Sequence, residues 1–228
     1  MPDHSAIYEK EADRYHQLIS KQPDLMECID ELRPISGLEV VDLGAGSGRL
    51  TAVLAAKAKS VIALDASDAM LQLTARRLSQ AGHTNWTTHV ADHRKLPLED
   101  NSADLVVSGW SICYLGSDDI PGWEQNIKEV MREIKRVLRA NGTVIIFETM
   151  GTGFETPTPP DFLKPYYAAL EQEYGFSYKW IRTDYQFDSV EQGEQLTRFF
   201  FSDDLADKVA EQKLIHLPEC AGVWWLQL

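Results

Sequence analysis

A chain of 228 residues, 44% hydrophobic and 25% charged, has the composition of a globular domain long enough to bury a substantial core. Its formal charge of −13, with no basic patch to offset it, disfavours nucleic acid as a partner. No apolar run reaches the roughly 18 residues of a membrane-crossing helix, and three widely spaced cysteines without an apolar N-terminal leader point to a reducing, cytoplasmic setting.

In chain order, Ser5 to Ser20 patterns as an amphipathic helix and Gln22 to Leu32 as a second one that stops before Pro34. Leu38 to Leu43 reads as a strand, Ser47 to Lys57 as a helix and Val61 to Asp65 as a strand. Ser67 to Ala81 is predicted helical, with Ser67 as the N-cap and Gly82 past the end. Trp86 to Ala91 and Ala103 to Gly109 read as strands. Trp123, Ile127, Val130, Met131, Ile134, Val137 and Leu138 then recur at helical spacing as far as Asn141-Gly142, and Thr143 to Glu148 is a strand. Beyond it, residues 151–160 form a Gly/Thr/Pro loop. Pro159-Pro160 introduces a helix to Tyr174 with Gly175 as its stop. Lys179 to Phe187 is strand-like, two short helical stretches follow, and the terminal VWWLQL is a last strand. Such alternation predicts an α/β fold: a Rossmann-like, doubly wound, mostly parallel sheet of about seven strands, with helices on both faces. The last strand is placed antiparallel, near the sheet's edge.

The stretch VVDLGAGSGRL, residues 40–50, sets Gly44, Gly46 and Gly48 at alternate positions behind Asp42. A dinucleotide fingerprint needs its third glycine where Arg49 stands, and a phosphate-binding loop needs a lysine after Gly48. The next predicted strand ends in Asp65, well placed for a ribose diol. A ribose reader beside a tight glycine turn, with no clear phosphate-holding feature, points to a nucleoside without a phosphate chain.

These features resemble the class I S-adenosylmethionine-dependent methyltransferases, in particular the small-molecule branch that includes ubiquinone and menaquinone biosynthesis enzymes. VVDLGAGSGRL is similar to the family's first motif and ALDASDAM (63–70) to its second. VADHRKLPLEDNSADLVVSGWSICYL (90–115) resembles the third and fourth, and VLRANG followed by TVIIFE resembles the fifth strand and the helix before it. The resemblance implies S-adenosylmethionine as cofactor. Its methionine half would lie on Gly44, Ala45 and Gly46, with its ammonium held by Asp42 and its carboxylate covered by Tyr15. Asp65 would take the ribose hydroxyls, Ala66 and Met70 the adenine ring, and Asp92 the adenine amino group, with His93 beside it. Ser108 and Trp110 would border the methyl group. Residues 1–228 would then form one domain: an N-terminal helical cover (1–36), a cofactor-binding core (37–150) and a substrate cover with the last two strands (151–228).

Methyl transfer from a sulfonium is an in-line displacement in which the leaving group carries most of the chemistry. An amine or thiolate acceptor needs little more than placement, whereas a phenol or alcohol needs a base such as His93. No catalytic residue is therefore assigned. The fourth motif, SGWS, lacks the N-P-P-Y pattern that similar enzymes use on bases or glutamine. Trp110 and Tyr114, four positions apart after a strand end, and Tyr185 from the aromatic-rich stretch 150–185 are the candidate substrate pocket. The partner implied is a small apolar or aromatic molecule, or a cation held over rings. No metal motif is present, the oligomeric state stays open, and the loop 151–160 is a candidate lid. The alternative is S-adenosylmethionine binding without methyl transfer, as in an aminopropyltransferase-like enzyme or a non-catalytic sensor or partner subunit.

Overall fold

A computed structural model describes residues 3–228, so the first two residues of the expected 1–36 cover lie outside the described ones. Three short helices come first: α1 (His4–Lys10), α2 (Ala12–Ile19) and α3 (Met26–Leu32). The core follows as β1 (Glu39–Leu43), α4 (Arg49–Ala55), β2 (Ser60–Asp65), α5 (Asp68–Gln80), β3 (Trp86–Val90) and β4 (Ala103–Gly109). Then come α6 (Cys113–Gly116), α7 (Trp123–Val137) and β5 (Leu138–Thr152). The last third holds a single 3-10 turn at Asp161–Leu163, α8 (Lys164–Gln172), β6 (Ser177–Arg182), β7 (Tyr185–Gln186), α9 (Val190–Phe200), α10 (Asp203–Glu211), β8 (His216–Leu217) and β9 (Glu219–Gln227).

The main sheet has seven strands in the order β3-β2-β1-β4-β5-β9-β6. The first five run parallel, while β9 is antiparallel to both β5 and β6. Residues along the central strands β1, β4 and β5 alternate between two largely buried faces. Val41, Leu43 and Val106 pack towards α7 and α8, in a cluster with Ile134 and Tyr166. Val40, Leu105 and Val107 pack towards α4, in a cluster with Leu50 and Leu54. Fully burying each such aliphatic side chain contributes about 1.5–3 kcal/mol. The doubly wound α/β sheet with an antiparallel strand near its edge is thus the architecture read from the sequence.

Local differences have local causes. The helix expected over Ser5 to Ser20 breaks at Glu11, whose φ of −127° lies outside the helical range. Asp3 caps α1 by accepting the Ala6 amide at 3.2 Å. Helix α3 starts only at Met26, where Asp24 accepts the amide, because Gln22 and Pro23 instead bind Arg49. Helix α4 starts at Arg49 because Gly48 sits at φ +82°. The stretch Lys179 to Phe187 divides: β6 ends the main sheet, and β7 leaves it to pair with β8.

Candidate functional site

Strands β1, β2, β3 and β4 are parallel and in register, so Leu43, Asp65, Val90 and Gly109 end at one edge of the sheet. Ligands in open parallel sheets sit beyond this edge. Two neighbouring cavities lie there, of about 800 Å³ and about 460 Å³. They share His4, Tyr8, Tyr15, Gly44, Gly46 and Trp110 among their walls, together with Gly109, Tyr114 and Ile120.

The glycine turn forms the floor between them. Gly44 has φ +80°, and a Cβ there would fall 1.9 Å from Ser111 Oγ. Gly46 has φ +53°, and a Cβ there would meet nothing within 4 Å. The turn is fixed by amides: Gly44 and Ala45 donate to the Leu64 carbonyl at 2.8 and 2.9 Å. The Gly46 amide donates to Asp65 Oδ2, and the Ser67 amide donates to Asp65 Oδ1, both at 2.8 Å. Burial raises the Asp65 pKa against these backbone bonds.

Asp42 is fully buried at the end of β1 and lines the larger cavity. Its Oδ2 accepts the Thr51 hydroxyl at 2.6 Å, while Oδ1 has no hydrogen-bond partner among the described residues. Burial pushes its pKa up to about 7, with the Asp65 charge adding to the effect and Thr51 opposing it. An unpartnered carboxylate oxygen of this kind is costly unless a ligand's donor satisfies it.

The smaller cavity receives Asp65, Ala66, Met70, Asp92 and His93. Asp92 is exposed and gripped by Arg94, through Nη2 at 2.6 Å and Nε at 2.9 Å. That grip holds its pKa down at about 2. His93 is buried, and its Nε2 pairs with Ser111 Oγ at 2.7 Å. Burial pulls its pKa down to about 4, so the ring is neutral near pH 7. It lines the smaller cavity only, away from the chamber where an acceptor would need a base.

The larger cavity receives Ala45, Trp110, Tyr114, Tyr15 and Tyr185 from the sequence reading. Trp110 takes a left-handed φ of +50°, which turns the chain at the end of β4. Its ring lies 4.5 Å beneath the Arg49 guanidinium. Tyr15 is half-buried in the same wall, and desolvation there raises its pKa to about 12. Tyr114 reaches over the rim, where its hydroxyl meets Tyr8 Oη at 2.6 Å and His4 Nδ1 at 2.9 Å.

Ser108 is the exception among the expected residues. Its registers with Leu43 and Ile146 turn the side chain into the sheet's α7 face, buried, without a hydrogen-bond partner among the described residues, and outside both cavities. Ser111, three positions on, takes its place in the wall. Sequence reasoning also passed over His4, Tyr8, Arg49 and Glu219. Arg49 carried a signal, because it replaces the third fingerprint glycine; the others carried none within their own segments.

These walls fit S-adenosylmethionine. The orphaned Asp42 oxygen suits an ammonium, the open side of Gly46 leaves room for a chain, and Asp65 stands at a strand tip with its carboxylate at the cavity.

Comparison with known proteins agrees. A family model described as a methyltransferase domain matches residues 41–146. Demethylmenaquinone methyltransferase from Clavibacter sepedonicus is 32% identical over 154 residues, covering 65% of this chain and 55% of that protein. Malonyl-[acyl-carrier protein] O-methyltransferase from Marinomonas sp. (strain MWYL1) is 27% identical over 190 residues, 82% of this chain and 64% of that one. Phosphoethanolamine N-methyltransferase 1 from Caenorhabditis elegans is 32% identical over 126 residues, 55% of this chain and 25% of the relative. The chain thus spans between a quarter and two thirds of the length of these curated relatives. In fold it is similar to a SAM-dependent methyltransferase from Aquifex aeolicus, with a TM-score of 0.64 at 15% identity, over 95% of this chain and 98% of the other. The glycine turn and the carboxylates at the strand tips lie within or beside the stretch that this family model matches, so residues 41–146 carry a methyltransferase domain.

Proposed function

We propose that the chain transfers a methyl group from S-adenosylmethionine to a small molecule held in the larger cavity, in a cytoplasmic setting and without nucleic acid. The observation that carries this reading is the shared wall. Gly44, Gly46, Trp110 and Tyr15 line both cavities, so a cofactor seated on Asp65 reaches the chamber where an acceptor would lie.

When bound, S-adenosylmethionine supplies a methyl group on a sulfonium, already activated for in-line displacement. The chain's own part is placement and exclusion of water. Asp42 offers its free Oδ1 to the cofactor's ammonium and Asp65 offers its carboxylate to the ribose hydroxyls. Met70 and Ala66 present an apolar surface to the adenine. Asp92 sits beside that surface with Arg94 already on its carboxylate, so an adenine amino group would share it with the guanidinium. Tyr15, Trp110, Tyr114 and Tyr185 wall the chamber with rings, which keeps it dry and holds an acceptor near 3 Å from the methyl carbon, about the reach that transfer needs. Phe154, Thr158, Pro159 and Pro160 line the same chamber, which supports residues 151–160 as its lid and 151–228 as the substrate cover. Residues 1–36 add His4, Tyr8 and Tyr15 from the other side.

The relatives named above include N- and O-methyltransferases, so the acceptor atom does not follow from kinship. The test is mass spectrometry of small phenols, amines and thiols incubated with protein and S-adenosylmethionine. Product heavier by one methyl, with S-adenosylhomocysteine formed alongside it, is the expected result. A protein that binds the cofactor but alkylates none of the three classes would favour a binding role over transfer.

A further inference from the structure

The larger cavity contains a carboxylate that the cofactor does not use. Glu219 is the first residue of β9 and pairs with Thr152 of β5. Because β9 is antiparallel, its first residue, not its last, arrives at the edge where the parallel strands end. Glu219 lines the cavity and is only 2% exposed. Its Oε1 accepts the Thr149 hydroxyl at 3.2 Å, whereas Oε2 is buried with no hydrogen-bond partner among the described residues.

The cationic side chains of this cavity are engaged elsewhere. Arg49 directs its guanidinium to Gln22 at 2.7 Å, to the Pro23 carbonyl at 3.2 Å and over the Trp110 ring. Lys164 pairs with Asp161 at 2.5 Å. His4 sits between Tyr114 and the Phe200 carbonyl, and burial lowers its pKa. Tyr185, Phe200, Phe201 and Phe154 add ring faces to the wall. An anionic acceptor would therefore meet two buried carboxylates, Asp42 and Glu219, offset among the described lining residues chiefly by the Arg49 charge, whose guanidinium is already turned to Gln22 and Pro23. A nitrogen bearing hydrogens would satisfy the orphaned oxygen and lie over rings suited to positive charge. Burial lifts the Glu219 pKa to about 7, against the Thr152 and Thr149 hydroxyls and the Arg49 charge, and a cation at Oε2 would draw the group into its ionised form.

We propose that Glu219 is the acceptor-binding carboxylate, and that the acceptor is a largely apolar amine that docks on Oε2 in its ammonium form and gives it one proton, which leaves the nitrogen lone pair free to accept the methyl group. This rests on the methyltransferase reading, in which S-adenosylmethionine occupies the Asp42 side of the cavity.

The test is calorimetric titration of the S-adenosylhomocysteine-loaded protein with phenethylamine, phenethyl alcohol and hydrocinnamate, which share a ring and tether and differ in the polar end. Wild type is expected to bind the amine about tenfold more tightly than the alcohol, with the carboxylate weakest. Glu219→Gln is expected to lose the preference for the amine and to keep its S-adenosylhomocysteine affinity within about twofold, which also reports that the variant folds. Failure of the amine to bind the loaded wild type, equal binding of the alcohol or carboxylate, or an undiminished amine preference in Glu219→Gln overturns the proposal. The wild-type ranking decides the matter even if that variant does not fold. Failure of wild type to bind S-adenosylhomocysteine is a different result, and it removes the methyltransferase reading itself.

Discussion

The Gly46 amide donates to Asp65 Oδ2 at 2.8 Å, which ties the turn after β1 to the tip of β2. The other oxygen of the same carboxylate holds the Ser67 amide at the start of α5. One side chain therefore shapes the glycine turn and also faces the cavity assigned to the ribose. Asp65→Ala is expected to lose about 2–3 kcal/mol of S-adenosylhomocysteine binding, roughly 30- to 150-fold, because charge-assisted bonds go and the turn loosens with them. Asp65→Asn keeps one acceptor oxygen and is expected to lose less. Calorimetric Kd values for the two variants check the order.

Gly44 and Gly46 separate folding from binding. Both have positive φ, so an alanine at either is strained by about 1–2 kcal/mol. At Gly44 the new Cβ would also strike Ser111 Oγ, which already pairs with His93. Gly44→Ala is thus expected to lower the melting temperature by the larger amount. At Gly46 the Cβ enters open space on the cavity wall. Gly46→Ala is expected to cost less stability and more cofactor affinity. Thermal melts with and without S-adenosylhomocysteine distinguish the two, and equal losses in both quantities would contradict the assignment.

Three buried carboxylates, Asp42, Glu148 and Glu219, each have a pKa raised to about 7, with burial as the main cause. A raised carboxylate pKa favours the protonated group in the folded state. Its contribution to stability is whole below the ordinary carboxylate pKa and is lost as pH rises through about 7. The unliganded protein is therefore expected to melt several degrees lower near pH 8 than near pH 5. Carboxylates with lowered pKa values, such as Asp92 at about 2, change stability only at more acidic pH. Asp42→Asn is expected to flatten this slope, as read from melting curves across the range.

Tyr114 bonds the N-terminal helix to the rim through Tyr8 and His4, and His4 stacks on Phe200 at 4.3 Å with the rings 3° apart. Tyr114→Phe removes one hydroxyl shared by two partners, at a cost of about 1 kcal/mol. Amide exchange in α1 is expected to quicken, while exchange in β1 and β4 stays slow. Unchanged exchange in α1 would show that the helix is held by other contacts.

Much of this site was legible because its signals are local. The turn at Gly44 and Gly46, the carboxylate of Asp42 before it and Asp65 at the next strand end lie within one βαβ unit, where spacing alone sets geometry. Ser108 failed for a comparably local reason: the alternation along β4 sends it to the α7 face, while Gly109 and Trp110 turn out at the rim. The position of Asp92 was legible, but its pairing with Arg94 depends on a tight loop that periodicity does not reveal. The break at Glu11 was hidden by an apolar pattern that continues across it. Glu219 could not be found by spacing at all. It reaches the site only because β9 inserts antiparallel between β5 and β6, a tertiary event more than sixty residues away from the last motif.

The most direct measurement of the central claim is isothermal titration of the protein with S-adenosylmethionine and S-adenosylhomocysteine, wild type beside Asp65→Ala. One-to-one binding of both ligands by wild type, abolished or weakened at least about 30-fold in the variant, is the expected result. Wild type that binds neither ligand, or a variant that binds both as tightly as wild type, would contradict the assignment of the strand-tip cavities to this cofactor.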